Sequence, residues 1–133
     1  MKTVASRLPK AERVSGKSLP EQLFNGGKSR SLSAFPLRMV YMENECGEGK
    51  IPTAKILVSV PKKHFKRAVK RNRVKRQIRE AYRRNKQIVF DRLYKNKAHD
   101  VIMAFIWQDN ILHESAEIEG KMKNLLTRLS EKL

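Results

Sequence analysis

One segment constrains the fold of this chain more than any other. Residues 66–84, KRAVKRNRVKRQIREAYRR, hold ten Lys or Arg residues and a single acid, Glu80. Apolar side chains recur there at the helical intervals i, i+4, i+7 and i+8, at Val74, Ile78, Ala81 and Tyr82. A disordered polycationic tail would lack such a stripe. The segment is therefore predicted to form an amphipathic helix with one face in a core and cations on the other.

The rest of the chain predicts a sheet and further helices. Apolar stretches typical of strands lie at 33–43, 53–61 and 98–109, and residues 113–133 repeat apolar side chains at helical spacing. A short helix is predicted near 19–25, between a Ser-Leu-Pro start and a Gly-Gly stop. This order predicts one layer of sheet covered by helices, an α/β layer structure.

Pro36 lies within the first predicted strand, where it indicates an edge or a strand start because proline cannot donate to a ladder. The chain has the length of a single domain. Residues 1–17 are polar and basic without a periodic pattern, and we predict a flexible arm there, followed by one domain over 18–133.

The charge balance points to a polyanionic partner. Thirty Lys and Arg against thirteen acids give a net charge of +17, which favours nucleic acid over an anionic membrane surface. The single cysteine, Cys46, suits a reducing compartment. No apolar run approaches the ~20 residues of a membrane span, and the N-terminus lacks the apolar core of a secretory signal. The sequence thus predicts a cytoplasmic protein with no membrane partner.

The basic helix is predicted to bind phosphates. Arg71, Lys75, Arg79 and Arg83 form a ladder of like charges at i, i+4, which destabilises a helix by roughly 0.2–0.5 kcal/mol per pair. Glu80 is expected to neutralise little of it, so a polyanion would supply the missing charge. Arginine also grips phosphate with two parallel hydrogen bonds. The predicted phosphate-binding cations are Lys62, Lys63, Lys66, Arg67, Lys70, Arg71, Arg73, Lys75, Arg76, Arg79 and Arg83.

Three aromatic residues, Phe24, Tyr41 and Phe65, would be able to stack on unpaired bases if exposed, although a core position is the commoner one for each.

The acids and histidines do not predict an active site. His64, His99 and His113 show no metal-ligand spacing, and the acids after His113 follow a solvated helix face rather than forming a two-metal cluster. Neither a catalytic residue nor a metal site is predicted.

A family resemblance makes the prediction specific. The stretch VSVPKKHFKRAVKRNRVKRQIREAYR (58–83) resembles the signature of the bacterial ribonuclease P protein subunit. In that family a strand ending in Val-Ser-x-Lys-Lys leads into Ala-Val-x-Arg-Asn-Arg-x-Lys-Arg-x-x-Arg. The matching positions here are Val58, Ser59, Lys62, Lys63, Ala68, Val69, Arg71, Asn72, Arg73, Lys75, Arg76 and Arg79.

The resemblance implies an α+β fold, a two-layer sandwich of about four strands in the order α-β-β-β-α-β-α. It also implies a left-handed crossover between parallel strands, against the usual rule. The implied function is that of the accessory protein of an endoribonuclease that removes the 5′ leader of precursor tRNA. The catalyst would be an RNA subunit with Mg²⁺, and the protein would bind that RNA as a monomer in a 1:1 complex.

The resemblance also implies roles for particular residues. The helix residues Arg71, Asn72, Arg73, Lys75, Arg76 and Arg79 would face the catalytic RNA. The leader would follow a cleft containing Phe24, with Lys62 and Lys63 near it. The sequence has Arg38 where the family often has a tyrosine, so charge is expected to replace an aromatic contact there.

Two other functions compete with this one. A basic ribosomal or assembly protein would bind RNA without any associated enzyme. A protein-only nuclease would need clustered carboxylates, which the dispersed acids of this chain do not predict.

Overall fold

The computed structural model describes residues 29–45, 53–96 and 99–133. The predicted arm over 1–17 and the predicted first helix with Phe24 lie outside these residues, as does Cys46. The described elements are β1 (Arg30–Ala34), β2 (Leu37–Glu45), β3 (Ala54–Ser59), α1 (Ala68–Asn85), α2 (Gln87–Asn96), β4 (His99–Trp107) and α3 (Ser115–Ser130).

The strands form one mixed four-stranded sheet in the order β1-β2-β4-β3. Strand β2 runs antiparallel to both β1 and β4, whereas β3 and β4 are parallel, with Ala54 opposite Val101 and Ser59 opposite Ile106. Helices α1 and α2 provide the long connection that a parallel pair requires. The predicted α+β class and the four-stranded sheet are confirmed.

The first strand prediction was wrong in one respect. Residues 33–43 were predicted as one strand, but the chain reverses at Phe35–Pro36, and Ser33 of β1 pairs with Arg38 of β2. Pro36 directly precedes β2, where its missing N–H costs no ladder hydrogen bond. The turn leaves the Phe35 side chain 59% exposed, while Leu37 is fully buried.

The main core lies between the sheet and the helices. Alternate residues of β4 point into it, and Tyr82 of α1 packs on Phe105 with ring centroids 6.0 Å apart. Both predicted helical stripes are confirmed as core. The buried stripe residues are Val74, Ile78, Ala81 and Tyr82 of α1, and Ile118, Met122, Leu125, Leu126 and Leu129 of α3.

Helix α2 was not predicted. It begins one residue after α1 ends, and only Lys86 separates the two helices. Its buried Val89 and Leu93 are spaced i, i+4, and Ile88 and Phe90 also pack against the core. Ten residues hold too few repeats to distinguish such a short helix from a continuation of α1.

The core contact of α1 generates a stability prediction. Ile78→Ala should lower the free energy of unfolding by about 2–5 kcal/mol, because it leaves a cavity beneath a fully buried side chain. Urea denaturation provides the measurement. The matched control is Arg76→Ala on the exposed face of the same helix, which should change stability by less than about 0.5 kcal/mol. Equal losses from both variants would contradict the assigned faces.

Candidate nucleic-acid interface

The face of α1 away from the core carries exposed cations. Lys70, Arg73 and Arg76 are exposed there with Asn72, while Lys75 is half-buried. The helix begins at an extended Arg67 that provides no side-chain cap, and its first turn contains no acid. The partial positive charge of the helix N-terminus therefore adds to the side-chain charges instead of being offset.

The loop before α1, residues 61–67 and hereafter the cationic loop, has a defined conformation. The backbone N–H of His64 donates to the carbonyl of Pro61 at 3.1 Å, and Phe65 is buried in the core. His64 Nδ1 lies 2.7 Å from Asn110 Oδ1, in the segment after β4. These contacts hold the loop while the side chains of Lys62, Lys63, Lys66 and Arg67 remain exposed.

Glu80 neutralises more charge than predicted. Its carboxylate accepts hydrogen bonds from Arg83 and from Arg84, the latter at 3.2 Å, and Arg84 also reaches Glu119 at 3.5 Å. The hydrogen bond from Arg83 outweighs burial and lowers the pKa of Glu80 below its usual value. The expectation that Glu80 does little was wrong, because its i+3 and i+4 neighbours both turn toward it.

Arg71 also has partners inside the protein. Its Nη1 donates to the carbonyl of Phe65 at 2.7 Å and to the carbonyl of Lys66 at 2.8 Å. Arg79 likewise interacts within the chain. Of the predicted ladder, Arg71, Arg79 and Arg83 are thus engaged in the folded protein, so the ladder is not a set of four unneutralised charges.

Seven exposed cations without partners among the described residues are grouped in the cationic loop and the first half of α1. Each has an exposed side chain that makes no hydrogen bond or ion pair in the part of the chain that the structure describes. We call them the free cation set; it comprises Lys62, Lys63, Lys66, Arg67, Lys70, Arg73 and Arg76. All seven were predicted from the sequence as phosphate-binding residues, and their binding role stays a prediction.

The opposite face of the sheet carries a buried apolar cluster and, beside it, a row of residues that is partly exposed and forms a second surface. Val40, Met42, Ile102 and Ala104 form a separate apolar cluster there. Beside it, the strand register places Ser33, Arg38, Ile106 and Ser59 in one row across the four strands. Arg38 is exposed in this row, and Ser59 is the last residue of β3, two residues before the cationic loop. The two surfaces therefore meet near the carboxyl end of β3.

The aromatic candidates within the described residues are core residues. Phe65 and Tyr41 are only 5% and 2% exposed, which excludes them as stacking platforms. The exposed aromatic side chains are instead Phe35 and Tyr94. The sequence feature that could have indicated an exposed Phe35 is the neighbouring Pro36. A turn at that position places the preceding side chain outside the paired strands.

The segment between β4 and α3 contains a charged cluster. His113 Nε2 lies 2.7 Å from Asp109 Oδ2, and its Nδ1 bonds to Glu117 in the first turn of α3. Since carboxylates only accept, both ring nitrogens must donate, so His113 is an imidazolium. Burial lowers its pKa, but the two carboxylate bonds outweigh burial and raise the pKa above its usual value. The hydrogen bond between His113 and Asp109 lowers the pKa of Asp109 below its usual value.

Three further observations limit the functions that the described residues could have. They include no group of three or more His, Cys, Asp or Glu side chains able to hold a metal ion. A groove of about 210 Å³ between α1 and α3 is lined by Gln77, Glu80, Ala81, Arg84, Ser115 and Glu119. Gln77 Nε2 donates to the carbonyl of His113 and to Ser115 Oγ, both at 3.0 Å. These bonds join α1 to the start of α3, so we interpret the groove as part of the packing between the two helices. No described helix is both long and apolar enough to cross a bilayer.

Fold and charge together define a basic α+β protein with an outward cationic loop and helix face. The family model for ribonuclease P matches residues 8–130. The ribonuclease P protein component of Porphyromonas gingivalis strain W83 is 38% identical over 123 residues, covering 92% of this chain and 86% of that protein. The component from Chlorobaculum tepidum is 36% identical and covers 90% and 83%.

Solved structures share the fold. The RNase P protein of Thermotoga maritima superposes with a TM-score of 0.63 at 21% identity, covering 88% of this chain and 96% of that one. The Staphylococcus aureus RNase P protein gives 0.64 at 21% identity, covering 90% and 96%. The chain belongs to the ribonuclease P protein family. Membership implies an RNA partner within a tRNA-processing endoribonuclease complex.

The charged cluster at His113 predicts a pH-dependent stability. Because its folded pKa is raised, its contribution is complete below the unfolded value of about 6.5 and is lost as pH rises through the folded pKa. The free energy of unfolding should therefore fall as pH rises above about 6.5, and less so in His113→Gln. Urea titrations of both proteins across this range provide the measurement, and parallel curves would contradict the assignment.

Proposed function

We propose that this chain binds the catalytic RNA of a ribonuclease P and the 5′ leader of precursor tRNA, and that it thereby promotes removal of the leader. Cleavage would be carried out by the RNA. The observation that carries the proposal is the free cation set, which the fold leaves exposed on one surface and unpaired within the described residues. Such charges release counterions when they meet phosphates, which favours RNA binding.

The two ends of α1 support a contact restricted to one part of the helix. Lys70, Arg73 and Arg76 follow an uncapped helix start, whereas Arg83 and Arg84 are already paired with Glu80. We therefore assign the catalytic-RNA contact to the cationic loop and the first half of α1, with Asn72 beside them as a hydrogen-bonding group. Lys75 borders this surface, while Arg71, Arg79 and Arg83 contribute less than the sequence alone predicts.

The leader would lie on the opposite sheet face. The row containing Arg38 and Ser59 leads from the β1–β2 hairpin toward Lys62 and Lys63. Its only charged side chain is cationic, which fits a phosphate backbone read without base specificity. Phe24, which the family resemblance assigns to this cleft, lies outside the described residues. Arg38 is thus the described residue with which the leader proposal is tested.

The magnesium of this reaction would belong to the RNA. The described carboxylates are engaged with Arg or His partners or dispersed, and none of them forms a group suited to a cation. The contribution of the protein would be neutralisation of phosphates, which reduces the repulsion between catalytic RNA and substrate. Less Mg²⁺ would then be needed to screen the two RNAs.

A reconstitution experiment tests the proposed function. The protein and its cognate ribonuclease P RNA are incubated with precursor tRNA over a series of Mg²⁺ concentrations, and release of the 5′ leader is measured. We expect stimulation that is greatest at low Mg²⁺, because there the charges of the protein substitute for screening ions. The matched control is Lys132→Ala, an exposed cation near the C-terminus that should leave stimulation intact.

Two outcomes of this reconstitution would overturn the proposal. If RNA binds but cleavage is never stimulated, the chain is an RNA-binding protein without an associated enzyme. If the protein cleaves precursor tRNA without the RNA subunit, catalysis resides in the protein.

The salt dependence of RNA affinity tests which cations touch phosphates. The double variant Arg73→Ala/Arg76→Ala should flatten the slope of log affinity against log salt by about 0.7–0.9 for each lost contact. Arg83→Ala is the control on the same helix, since Arg83 is paired with Glu80 and should change the slope little. Filter binding from low to high salt gives both slopes. Equal flattening in the two proteins would show that the Arg83–Glu80 pair opens on binding.

A further inference from the structure

Arg71 is in the stretch that resembles the RNA-facing helix signature, yet its guanidinium faces the protein backbone. We propose that Arg71 is a positioning residue that holds the cationic loop in its binding conformation, and that it is not itself a phosphate contact. This inference rests on the proposed function, because the loop it positions is assigned to the catalytic RNA.

The hydrogen-bond geometry carries the inference. One nitrogen, Nη1, donates both of its hydrogens, to the carbonyls of Phe65 and Lys66 at 2.7 and 2.8 Å. These carbonyls belong to consecutive residues at the point where the loop enters α1. A guanidinium presents its donors in a rigid fork, so it fixes the two carbonyls relative to the helix. The charge of Arg71 is thereby directed inward, onto backbone oxygens.

We call the two hydrogen bonds from Arg71 to these carbonyls the clamp. The position of the carbonyls in the chain explains why such contacts are needed there. Lys66 and Arg67 carry exposed side chains, and Arg67 occupies the N-cap position without making a capping bond. The positive charges of the side chains are close together in the first turn, where the partial positive charge of the helix N-terminus repels them. Without a side-chain cap, the loop-to-helix junction depends on other contacts for its conformation. Arg71 provides two such contacts from one turn into the helix.

The other end of the loop is already held. The buried Phe65 ring and the His64–Asn110 contact secure its middle, and the turn at Pro61 secures its start. Arg71 therefore provides the remaining contacts that hold the loop, at its junction with α1. Ordering one backbone residue costs about as much free energy as a tenfold change in affinity. Loss of the clamp should weaken RNA binding by roughly that factor, with the loop cations still present.

The test compares Arg71→Ala with Arg73→Ala, its neighbour on the same helix with an exposed and unpaired side chain. For binding to the cognate ribonuclease P RNA, Arg71→Ala should reduce affinity about tenfold and leave the salt slope unchanged. Arg73→Ala should reduce affinity and flatten the slope. Equal flattening in both variants would overturn the positioning role and make Arg71 a phosphate contact.

A double-mutant cycle separates positioning from general loss of structure. In the background Lys66→Ala/Arg67→Ala, the effect of Arg71→Ala on RNA affinity should largely disappear, because the cations that it positions are absent. An undiminished effect in that background would contradict the proposal. A global unfolding defect would show as a lower midpoint in urea, which we do not expect for Arg71→Ala.

A measurement without RNA keeps this inference distinct from the proposed function. Lys62, Lys63, Lys66 and Arg67 are all trypsin sites within the cationic loop. Arg71→Ala should accelerate trypsin cleavage at Lys66 and Arg67 in the free protein, relative to wild type and to Arg73→Ala, because the junction opens more often. Unchanged trypsin cleavage of Arg71→Ala would reject the clamp, whatever the RNA affinity of that variant. Faster cleavage in a protein that fails to bind RNA would reject the proposed function and leave the clamp intact.

Discussion

The packing of Tyr82 of α1 on Phe105 of β4, with ring centroids 6.0 Å apart, fixes which face of the basic helix meets the sheet. Both side chains are fully buried, together with Val74 and Ile78 of the same helical stripe. Once this stripe is fixed to the sheet, the opposite face of α1 must point to solvent, and its cations point with it. The cationic surface is thus a consequence of core packing, since hydrophobic burial sets the rotation of the helix and the charges follow.

The parallel pairing of β3 with β4 adds a second constraint. Because parallel strands end at the same edge of a sheet, the cationic loop after β3 and the segment after β4 become neighbours. The contact between His64 and Asn110 joins them. The ion cluster around His113 then anchors the second segment to α3. The basic loop consequently rests on a chain of polar contacts that leads back to a helix docked on the core.

Periodic features were predictable from the sequence, and features that depend on pairing across distance were not. The buried stripes of α1 and α3 keep helical spacing over about two and about three turns, so their residues could be named in advance. The family resemblance implied three strands before the basic helix, which the structure has, but the residue pattern did not locate the β1–β2 turn. Residues 33–43 alternate without a visible break, and only the pairing of Ser33 with Arg38 reveals the reversal. Helix α2 was missed because it is only ten residues long and follows α1 after a single residue, Lys86.

The candidate site shows the same division. The seven residues of the free cation set were named from the sequence, but together with Arg71, Arg79 and Arg83, which the structure shows to be engaged, and the half-buried Lys75. The pairing of Glu80 with Arg83 and Arg84 was also accessible, since i+3 and i+4 partners are local, and it was underestimated. The clamp from Arg71 could not be inferred, because it depends on the conformation of the loop carbonyls at Phe65 and Lys66. Local charge patterns are therefore informative about sign and density, and less so about which cations remain available.

Glu80 has a consequence for geometry as well as for charge. It separates a first half of α1 with available cations from the last turn, where Arg83 and Arg84 are paired with it. From Lys70 to Arg76 the helix rises only about 9 Å, at roughly 1.5 Å per residue. A polyanion on this helix would meet a short attractive patch bounded by an acid, and not a uniform cationic rod along which it slides. The cations of α1 that have no partner among the described residues are therefore confined to its first half.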